Sequence, residues 1–300
     1  MKKAILILSV FLLSLIPFHY VPGLVGQLPE YDQLGALILD RLISEISAES
    51  ILVGDARTGR IIYQKNAECI RPIASLTKIM TAIIVLENKN LEDVVKIERT
   101  DRTVNSWKLG LKKGHKITIK DLLLAFLLES RNDAALYAAE AVAKTEKEFV
   151  ELMNKKAAEI GAESTIFSNC HGLDTNGTNF STALDLFRIT CYALKNPVFS
   201  EIVRTREADI TWTGSAVRKK HLKNVNKCLF LYEGVDGVKT GYTRQAGRCI
   251  VLSCRRGGLH LICILLNSRD IWRESGLLLD FAFSKLYLDK HSEGMVTGNK

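Results

Sequence analysis

Residues 71–86 read RPIASLTKIMTAIIVL, a short polar turn followed by a long apolar run. The run predicts a buried helix over residues 75–87, with Ser75 and Lys78 three residues apart at its start. Residues at that spacing lie on one face of a helix. A simple N-cap serine would give the same pattern at Ser75. The stretch nevertheless places a hydroxyl beside an amine, which is what acyl transfer through a serine ester requires.

Two further motifs follow in the chain. Ser130-Arg131-Asn132 comes after the apolar run 122–128, and Lys239-Thr240-Gly241 lies in the glycine-rich stretch 234–243. Together they add a hydroxyl, an amide and a second cation. A lysine is a useful base only if its pKa falls from about 10.4 toward neutrality. Burial and a neighbouring cation both lower it, so we expect Lys239 to lie near Lys78.

In this order and with these flanks, the motifs resemble those of the penicillin-binding D-alanyl-D-alanine carboxypeptidases, the serine peptidases of low molecular mass. The resemblance covers about residues 40–287. It implies that Ser75 is the nucleophile, Lys78 the general base and Ser130 a proton relay to the leaving amine. Asn132 would orient Lys78 or bind the substrate backbone. Glycine is common at the position of Arg131, whose side chain we expect to point away from the chemistry.

The third motif is suited to the substrate's free carboxylate. Lys239 and Thr240 offer a cation and a hydroxyl, and Gly241 lets a substrate strand approach the backbone closely. The backbone N–H of Ser75 is expected to form an oxyanion hole with that of Tyr242, the latter by resemblance alone.

Arginine binds a carboxylate through a bidentate fork. Arg273 lies where relatives place such an arginine, and Arg269 and Arg248 compete for this role. His171 lies in the loop 169–174, which resembles a loop near the family's cleft. We expect His171 to brace that loop, because lysine already fills the role of base.

Strand-like runs occur near both ends of the sequence, and helical patterns lie between them. The strands are predicted at 50–54, 60–64, 248–254 and 259–267, with another strand region beginning at Lys239; the helices at 120–128, 133–143, 146–160, 181–194 and 273–287. This order predicts one antiparallel sheet built from both termini and a helical lobe from the middle. The resemblance implies the same α/β (α+β type) fold, β-lactamase/transpeptidase-like, with a five-stranded antiparallel sheet and the site at the lobe junction.

The N-terminus predicts export. Lys2-Lys3 precedes the apolar residues 4–18, a run shorter than the roughly 20 residues of a membrane span. We expect a signal peptide over residues 1–23, cleaved or kept as an anchor, then a catalytic domain over 24–300. The β-rich C-terminal domain of many relatives is not expected. The protein would then be exported to the cell envelope, secreted or associated with the membrane surface through its N-terminus.

Composition excludes few partners. The net charge of +8 suits anionic polymers such as those of cell walls, but the basic residues are scattered, so nucleic acid is not expected. The chain has seven cysteines, of which Cys249, Cys254 and Cys263 lie in apolar runs and are predicted to be buried free thiols. No spacing typical of a metal or nucleotide site occurs, so neither metal nor cofactor is predicted.

The predicted function is removal of the terminal D-alanine from peptidoglycan stem pentapeptides through an acyl-serine intermediate, with β-lactams as covalent inhibitors of Ser75. A β-lactamase or esterase on the same scaffold is one alternative. Glu163 lies roughly where such an enzyme keeps its base, but residues 163–167 lack the E-x-x-L-N pattern. A non-catalytic wall-binding or sensor protein is the other, and the intact Ser75, Lys78 and Lys239 argue against it.

Overall fold

The computed structural model describes residues 41–100, 104, 106–174 and 177–297, so the predicted signal peptide lies outside it. In chain order the strands are β1 (Ser50–Asp55), β2 (Ile61–Lys65), β3 (Arg71–Pro72), β4 (Val94–Lys96), β5 (Lys116–Thr118), β6 (Phe180–Ser181), β7 (Glu207–Thr213), β8 (Val217–Lys223), β9 (Val235–Thr243), β10 (Gly247–Arg256) and β11 (Leu259–Ser268). The helices are α1 (Lys78–Asn88), α2 (Ile119–Leu128), α3 (Asn132–Val142), α4 (Glu146–Ile160), α5 (Ala183–Ala193), α6 (Pro197–Arg204), α7 (Cys228–Leu231) and α8 (Ile271–Thr297). None of these helices combines the length and hydropathy needed to cross a bilayer.

The predicted five-stranded antiparallel sheet is confirmed. Its strand order is β2-β1-β11-β10-β9, which brings strands from the two ends of the chain side by side. Ser50 of β1 lies opposite Leu266 of β11, and Asp55 lies opposite Leu261. Strand β9 therefore forms one edge of the sheet and is free to face the helical lobe.

Both faces of this sheet are covered. Along β11, Ile262 and Ile264 pack into the core shared with the helical lobe, while Leu261 and Cys263 pack into the core beneath α8. Successive side chains of a strand point to opposite faces, so an almost unbroken apolar run is what a doubly covered strand needs. Burial of the free thiols of Cys249, Cys254 and Cys263 is confirmed.

The helical lobe forms around α1, in which residues 78–85 are all buried. The predicted helix over 146–160 is confirmed. The Thr145 side chain caps its start by accepting from the Glu148 N–H, and Gly161 ends it with φ of 80°. That left-handed backbone conformation favours glycine, which explains why the end of the helix is legible in the sequence.

A second antiparallel sheet, of order β4-β5-β7-β8, was not predicted. Two boundaries also differ from expectation. The Lys239-Thr240-Gly241 motif does not begin a strand, because β9 already pairs with β10 at Val235, opposite Cys254. The closing helix begins at Ile271 instead of Arg273. Asp236 and Gly237 interrupt the apolar pattern of β9, which hid its start.

Candidate active site

Ser75 does not lie in the α-helix predicted over 75–87. It belongs to a 3₁₀ turn, Ala74–Thr77, and α1 begins only at Lys78. Ala74 has φ of 47°, a left-handed conformation that is uncommon for alanine. The Thr77 hydroxyl donates to the Ala74 carbonyl over 2.7 Å and so tightens the turn. Because a 3₁₀ turn also brings residues three apart together, Ser75 Oγ still faces Lys78 Nζ.

Two glycines pack against this turn from different segments. A Cβ atom on Gly172 would lie 2.1 Å from the Ala74 carbonyl oxygen, and one on Gly241 would lie 2.9 Å from the Ser75 nitrogen. Neither position has room for a side chain. Gly241 was expected to let the substrate approach, and here it also makes room for Ser75. The role of Gly172 was missed, since nothing in its local sequence reveals a contact made in the folded chain.

Lys78 is completely buried beneath the cleft. Its Nζ lies 3.0 Å from Ser75 Oγ and 2.6 Å from Asn132 Oδ1, and it also donates to the His171 carbonyl oxygen. The last two oxygens can only accept hydrogen bonds. A neutral amine has two N–H groups and one lone pair. Once those two oxygens take the N–H groups, the lone pair is left facing the Ser75 hydroxyl.

The electrostatic setting favours that neutral amine. Burial, and then the charge of Lys239, hold the pKa of Lys78 well below its usual value. Lys239, only 1% exposed, lies on β9 and donates to the Thr240 carbonyl over 3.0 Å. Burial lowers the pKa of Lys239 to about 7. The site thus contains two lysines, one from each lobe, whose protons leave far more readily than those of exposed lysines.

The loop of His171 contributes a backbone oxygen to the site. The imidazole Nδ1 accepts from the Leu173 N–H over 3.1 Å, so the ring braces the loop. Asn132 is buried at the start of α3, and its Nδ2 donates to the Ser106 carbonyl over 2.9 Å. This second bond fixes which end of the Asn132 amide faces Lys78.

A cleft of about 460 Å³ opens above these groups. Of the residues singled out from the sequence, those that line it are Ser75, Ser130, Asn132, Thr240, Gly241, Tyr242 and Arg248. Leu173 lines it too, from the loop 169–174 that was expected near the cleft. Sequence reasoning missed the other lining residues, which are Ser106, Trp107, Val225, Ile271 and Trp272. They come from loops and element ends, where the sequence carries no periodic signal.

The expected carboxylate anchor Arg273 is not among the lining residues. Its side chain is exposed in the first turn of α8. The backbone N–H of Arg273 donates to Asp270 Oδ1 over 3.2 Å. Ile271 and Trp272 take the positions that face the cleft. Arg248 lines the cleft instead, with Nη1 donating to the Arg269 carbonyl over 3.1 Å. Of the three arginines considered, Arg248 is the one among the residues that line the cleft.

Comparison with known proteins gives a consistent result. The family described as D-alanyl-D-alanine carboxypeptidase (Peptidase S11) matches residues 39–270. The D-alanyl-D-alanine carboxypeptidase DacF of Bacillus subtilis is 32% identical over 79% of this chain and 62% of its own length. The D-alanyl-D-alanine carboxypeptidase of Streptomyces sp. K15 is 36% identical over 71% of this chain and 78% of its own. The chain thus spans less than two thirds of the Bacillus relative.

Solved structures show the same likeness. A mutant of the Streptomyces K15 DD-transpeptidase superposes with a TM-score of 0.75 at 32% identity, over 80% of this chain and 98% of that one. Penicillin-binding protein D2 of Listeria monocytogenes, in its cefotaxime-bound form, gives a TM-score of 0.70 at 28% identity, over 79% and 98% of the two chains.

Proposed function

This chain belongs to the D-alanyl-D-alanine carboxypeptidase family, Peptidase S11, and from that membership we propose that it removes the terminal D-alanine of peptidoglycan stem pentapeptides. One observation carries the proposal. The buried Lys78 amine lies 3.0 Å from Ser75 Oγ, and its other partners accept hydrogen bonds only. A serine activated by an amine in this way is suited to acyl transfer.

These positions support an acylation mechanism in which Lys78 is the base. The Ser75 oxygen attacks the carbonyl carbon between the two D-alanines, and the hydroxyl proton passes to the Lys78 amine. The backbone N–H groups of Ser75 and Tyr242 stabilise the oxyanion that forms. The carbon–nitrogen bond then breaks, and the leaving amine takes a proton from Lys78 through the Ser130 hydroxyl. The products are free D-alanine and a Ser75 ester.

Hydrolysis of the ester restores the enzyme. Lys78, neutral again, takes a proton from the attacking water, and the ester bond to Ser75 breaks with return of that proton to Oγ. Glu163, the candidate base of the β-lactamase alternative, is exposed and does not line the cleft. The loop base on which the β-lactamase alternative depends is therefore not in place at Glu163. We therefore favour a peptidase that β-lactams inhibit over one that destroys them.

Substrate binding uses the sheet edge. Strand β9 carries Thr240 and Gly241 along the cleft, where an extended peptide can pair with the backbone. The buried charge of Lys239 and the guanidinium of Arg248 attract the free carboxylate of the leaving D-alanine. We propose that this carboxylate distinguishes the substrate from an internal peptide bond. β-Lactams carry a carboxylate in the same relation to their reactive amide and would bind likewise.

The site of action is also proposed. Peptidoglycan lies outside the cytoplasmic membrane, and the export signal expected over residues 1–23 supports an envelope location. Fractionation of the native host tests this: we expect the protein in the envelope or the medium, and recovery with the cytoplasmic fraction would contradict it.

Release of D-alanine from diacetyl-L-Lys-D-Ala-D-Ala tests the activity. We expect turnover by the wild type and a loss of about 10³-fold or more in Ser75→Ala. Ser164→Ala is the matched control, because Ser164 is exposed, lies outside the cleft and should not affect turnover. A relative from Pseudomonas aeruginosa is named an endopeptidase, so a cross-linked muropeptide dimer is assayed in parallel. Cleavage of the dimer without release of D-alanine would contradict the carboxypeptidase assignment.

A further inference from the structure

Trp107 is an exposed aromatic side chain at the cleft to which the mechanism above assigns no role. It lines the cleft and remains 60% exposed. Its φ of 53° is rarely adopted by a residue with a side chain. A bulky residue holds such a conformation only where its surroundings impose it. The contacts that hold Trp107 in this conformation therefore indicate its role at the cleft.

Both ends of Trp107 are tied to the segment that carries the second motif. The indole Nε1 donates to the Glu129 carbonyl over 2.6 Å, and the Trp107 carbonyl accepts from the Asn132 N–H over 2.9 Å. These bonds fix the backbone of Trp107 and the edge of its ring. The ring can then neither turn into solvent nor fold onto the cleft floor without breaking one of them.

Arg131 contacts Glu129, the loop that carries Trp107, and the Trp107 ring itself. Its Nη1 donates to the Lys108 carbonyl over 3.0 Å, and its Nε and Nη2 donate to Glu129 Oε2 over 2.9 and 2.6 Å. The guanidinium carbon lies 5.9 Å from the centre of the Trp107 ring, within cation–π range. The planar guanidinium thus bridges the acid and the loop, which the single ammonium of a lysine cannot reproduce.

Glu129 anchors this arrangement to the second sheet. Its carboxylate lies 3.5 Å from Lys220 Nζ and accepts from the Lys223 N–H over 3.3 Å, both on β8. The side chain of Glu129 is only 12% exposed and that of Arg131 only 22%. Partial burial shields this ion pair from the screening that weakens exposed pairs. Arg131 is therefore held rigidly enough to position its neighbour.

We propose that Arg131 is a positioning residue that holds Trp107 as an apolar wall of the cleft, and that this wall selects substrates with a large apolar acyl side chain. The inference rests on the proposed acyl-transfer function. In a stem peptide the matching group is the aliphatic chain of the residue preceding the two D-alanines. In a penicillin it is the side chain carried on the 6-amino group.

Two β-lactams that differ only in this group give the test. Benzylpenicillin has an aromatic acyl side chain, and 6-aminopenicillanic acid has none. The measured quantity is the second-order rate constant of Ser75 acylation, followed by intact mass, in the wild type, Arg131→Ala, Trp107→Ala and the double variant. Arg57→Ala is the control, because Arg57 is an exposed arginine in a turn outside the cleft.

Each single variant should lose about tenfold in the rate with benzylpenicillin and change less than about twofold with 6-aminopenicillanic acid. The double variant should lose no more than either single variant, because Arg131 acts through Trp107. Should Arg131→Ala fail to fold, Trp107→Ala, an exposed site, carries the same comparison. Equal losses with both compounds, or additive losses in the double variant, would overturn the inference. Absence of acylation in the wild type would overturn the proposed function itself, and this inference with it.

Discussion

The proposed mechanism depends on two buried lysines in different protonation states. Lys78 serves as a base only when neutral, and Lys239 attracts a carboxylate only when charged. Burial lowers both pKa values, and the charge of Lys239 lowers that of Lys78 further. Because Lys239 acts on Lys78 in addition to burial, we expect Lys78 to be the first of the two to lose its proton as pH rises.

A pH dependence follows from the pKa of Lys239. Because this pKa is lowered to about 7, the charged form is present below that pH and is lost above it. We expect kcat/KM for the peptide, which reports groups of the free enzyme, to fall as pH rises through about 7. In Lys239→Arg the cation does not titrate, so the descending limb should move to higher pH even if the maximum rate is lower. Coincident descending limbs would contradict this assignment.

A second prediction concerns Gly172, the glycine that packs behind Ser75. Gly172→Ala would place a Cβ 2.1 Å from the Ala74 carbonyl oxygen and so displace the turn of Ser75. We expect acylation to slow by about 100-fold or more, as for other displacements of about 1 Å. Gly161→Ala is the matched control. The φ of Gly161, 80°, is close to the 86° of Gly172, but no atom lies within 4 Å of a Cβ added at Gly161. The control variant therefore shares the backbone strain without the clash.

Both variants would be compared for penicillin acylation and for the free energy of unfolding. Similar losses of stability with a selective loss of acylation in Gly172→Ala would support the account. Equal acylation by the two variants would contradict it.

At the residue scale, the sequence predicts contacts within and between recognisable motifs. Ser75 and Lys78 are three residues apart in the chain. The resemblance of the three motifs to those of one family predicts that Asn132 and Lys239 lie beside them. The position of Arg273 relative to the cleft could not be predicted from the sequence, because its direction depends on where α8 begins. The helix begins at Ile271, two residues before the predicted start. Two residues correspond to about half a turn, which exchanges the side of the helix facing the cleft for the exposed side.

Among the elements, α3 links the cleft loop to the core. Asp133, in its first turn and only 3% exposed, accepts from the N–H groups of Leu109, Gly110 and Leu111 over 2.7, 2.8 and 3.2 Å. A carboxylate at a helix N-terminus is also favoured by the helix dipole. One side chain thus fixes the loop that carries Ser106 and Trp107 to the cleft.

Asp133→Asn should weaken this anchorage, because the amide replaces one accepting oxygen by a donor and removes the charge. We expect the free energy of unfolding to fall by about 2–3 kcal/mol, measured by urea denaturation. Asp121→Asn is the control. Asp121 also lies in the first turn of a helix, but its carboxylate accepts from one strand N–H, that of Thr211, over 3.3 Å. An equal fall in the free energy of unfolding of Asp121→Asn would contradict a special contribution of the three loop contacts to stability.

Elements with caps or long apolar runs could be predicted, and short exposed ones could not. Helix α4 was legible because its apolar residues recur at helical spacing and Gly161 marks its end. The sheet of β4, β5, β7 and β8 was missed for a physical reason. Strands β4 and β5 have three residues each, and β8 carries basic residues on an exposed edge. Charged edge strands protect a sheet from further pairing, and the same charges remove the apolar signal.

For the whole molecule, the site exists only where two separately built layers meet. Helices α1 and α3 of the lobe supply Lys78 and Asn132, while β9 at the sheet edge supplies Lys239 and Thr240. The sheet closes only when β1 pairs with β11, more than 200 residues later in the chain. The fold class was predictable because both ends of the sequence contain strand patterns. The close approach of Gly172 and Gly241 to Ser75 was not, since it arises only when the layers pack.

The most direct test of the central claim is the intact mass of the protein incubated with benzylpenicillin and followed over time. We predict one stable adduct per chain, located by peptide mapping on Ser75 and absent from Ser75→Ala. No adduct, an adduct on another residue, or an adduct that disappears within seconds while penicillin is consumed would contradict the proposed peptidase.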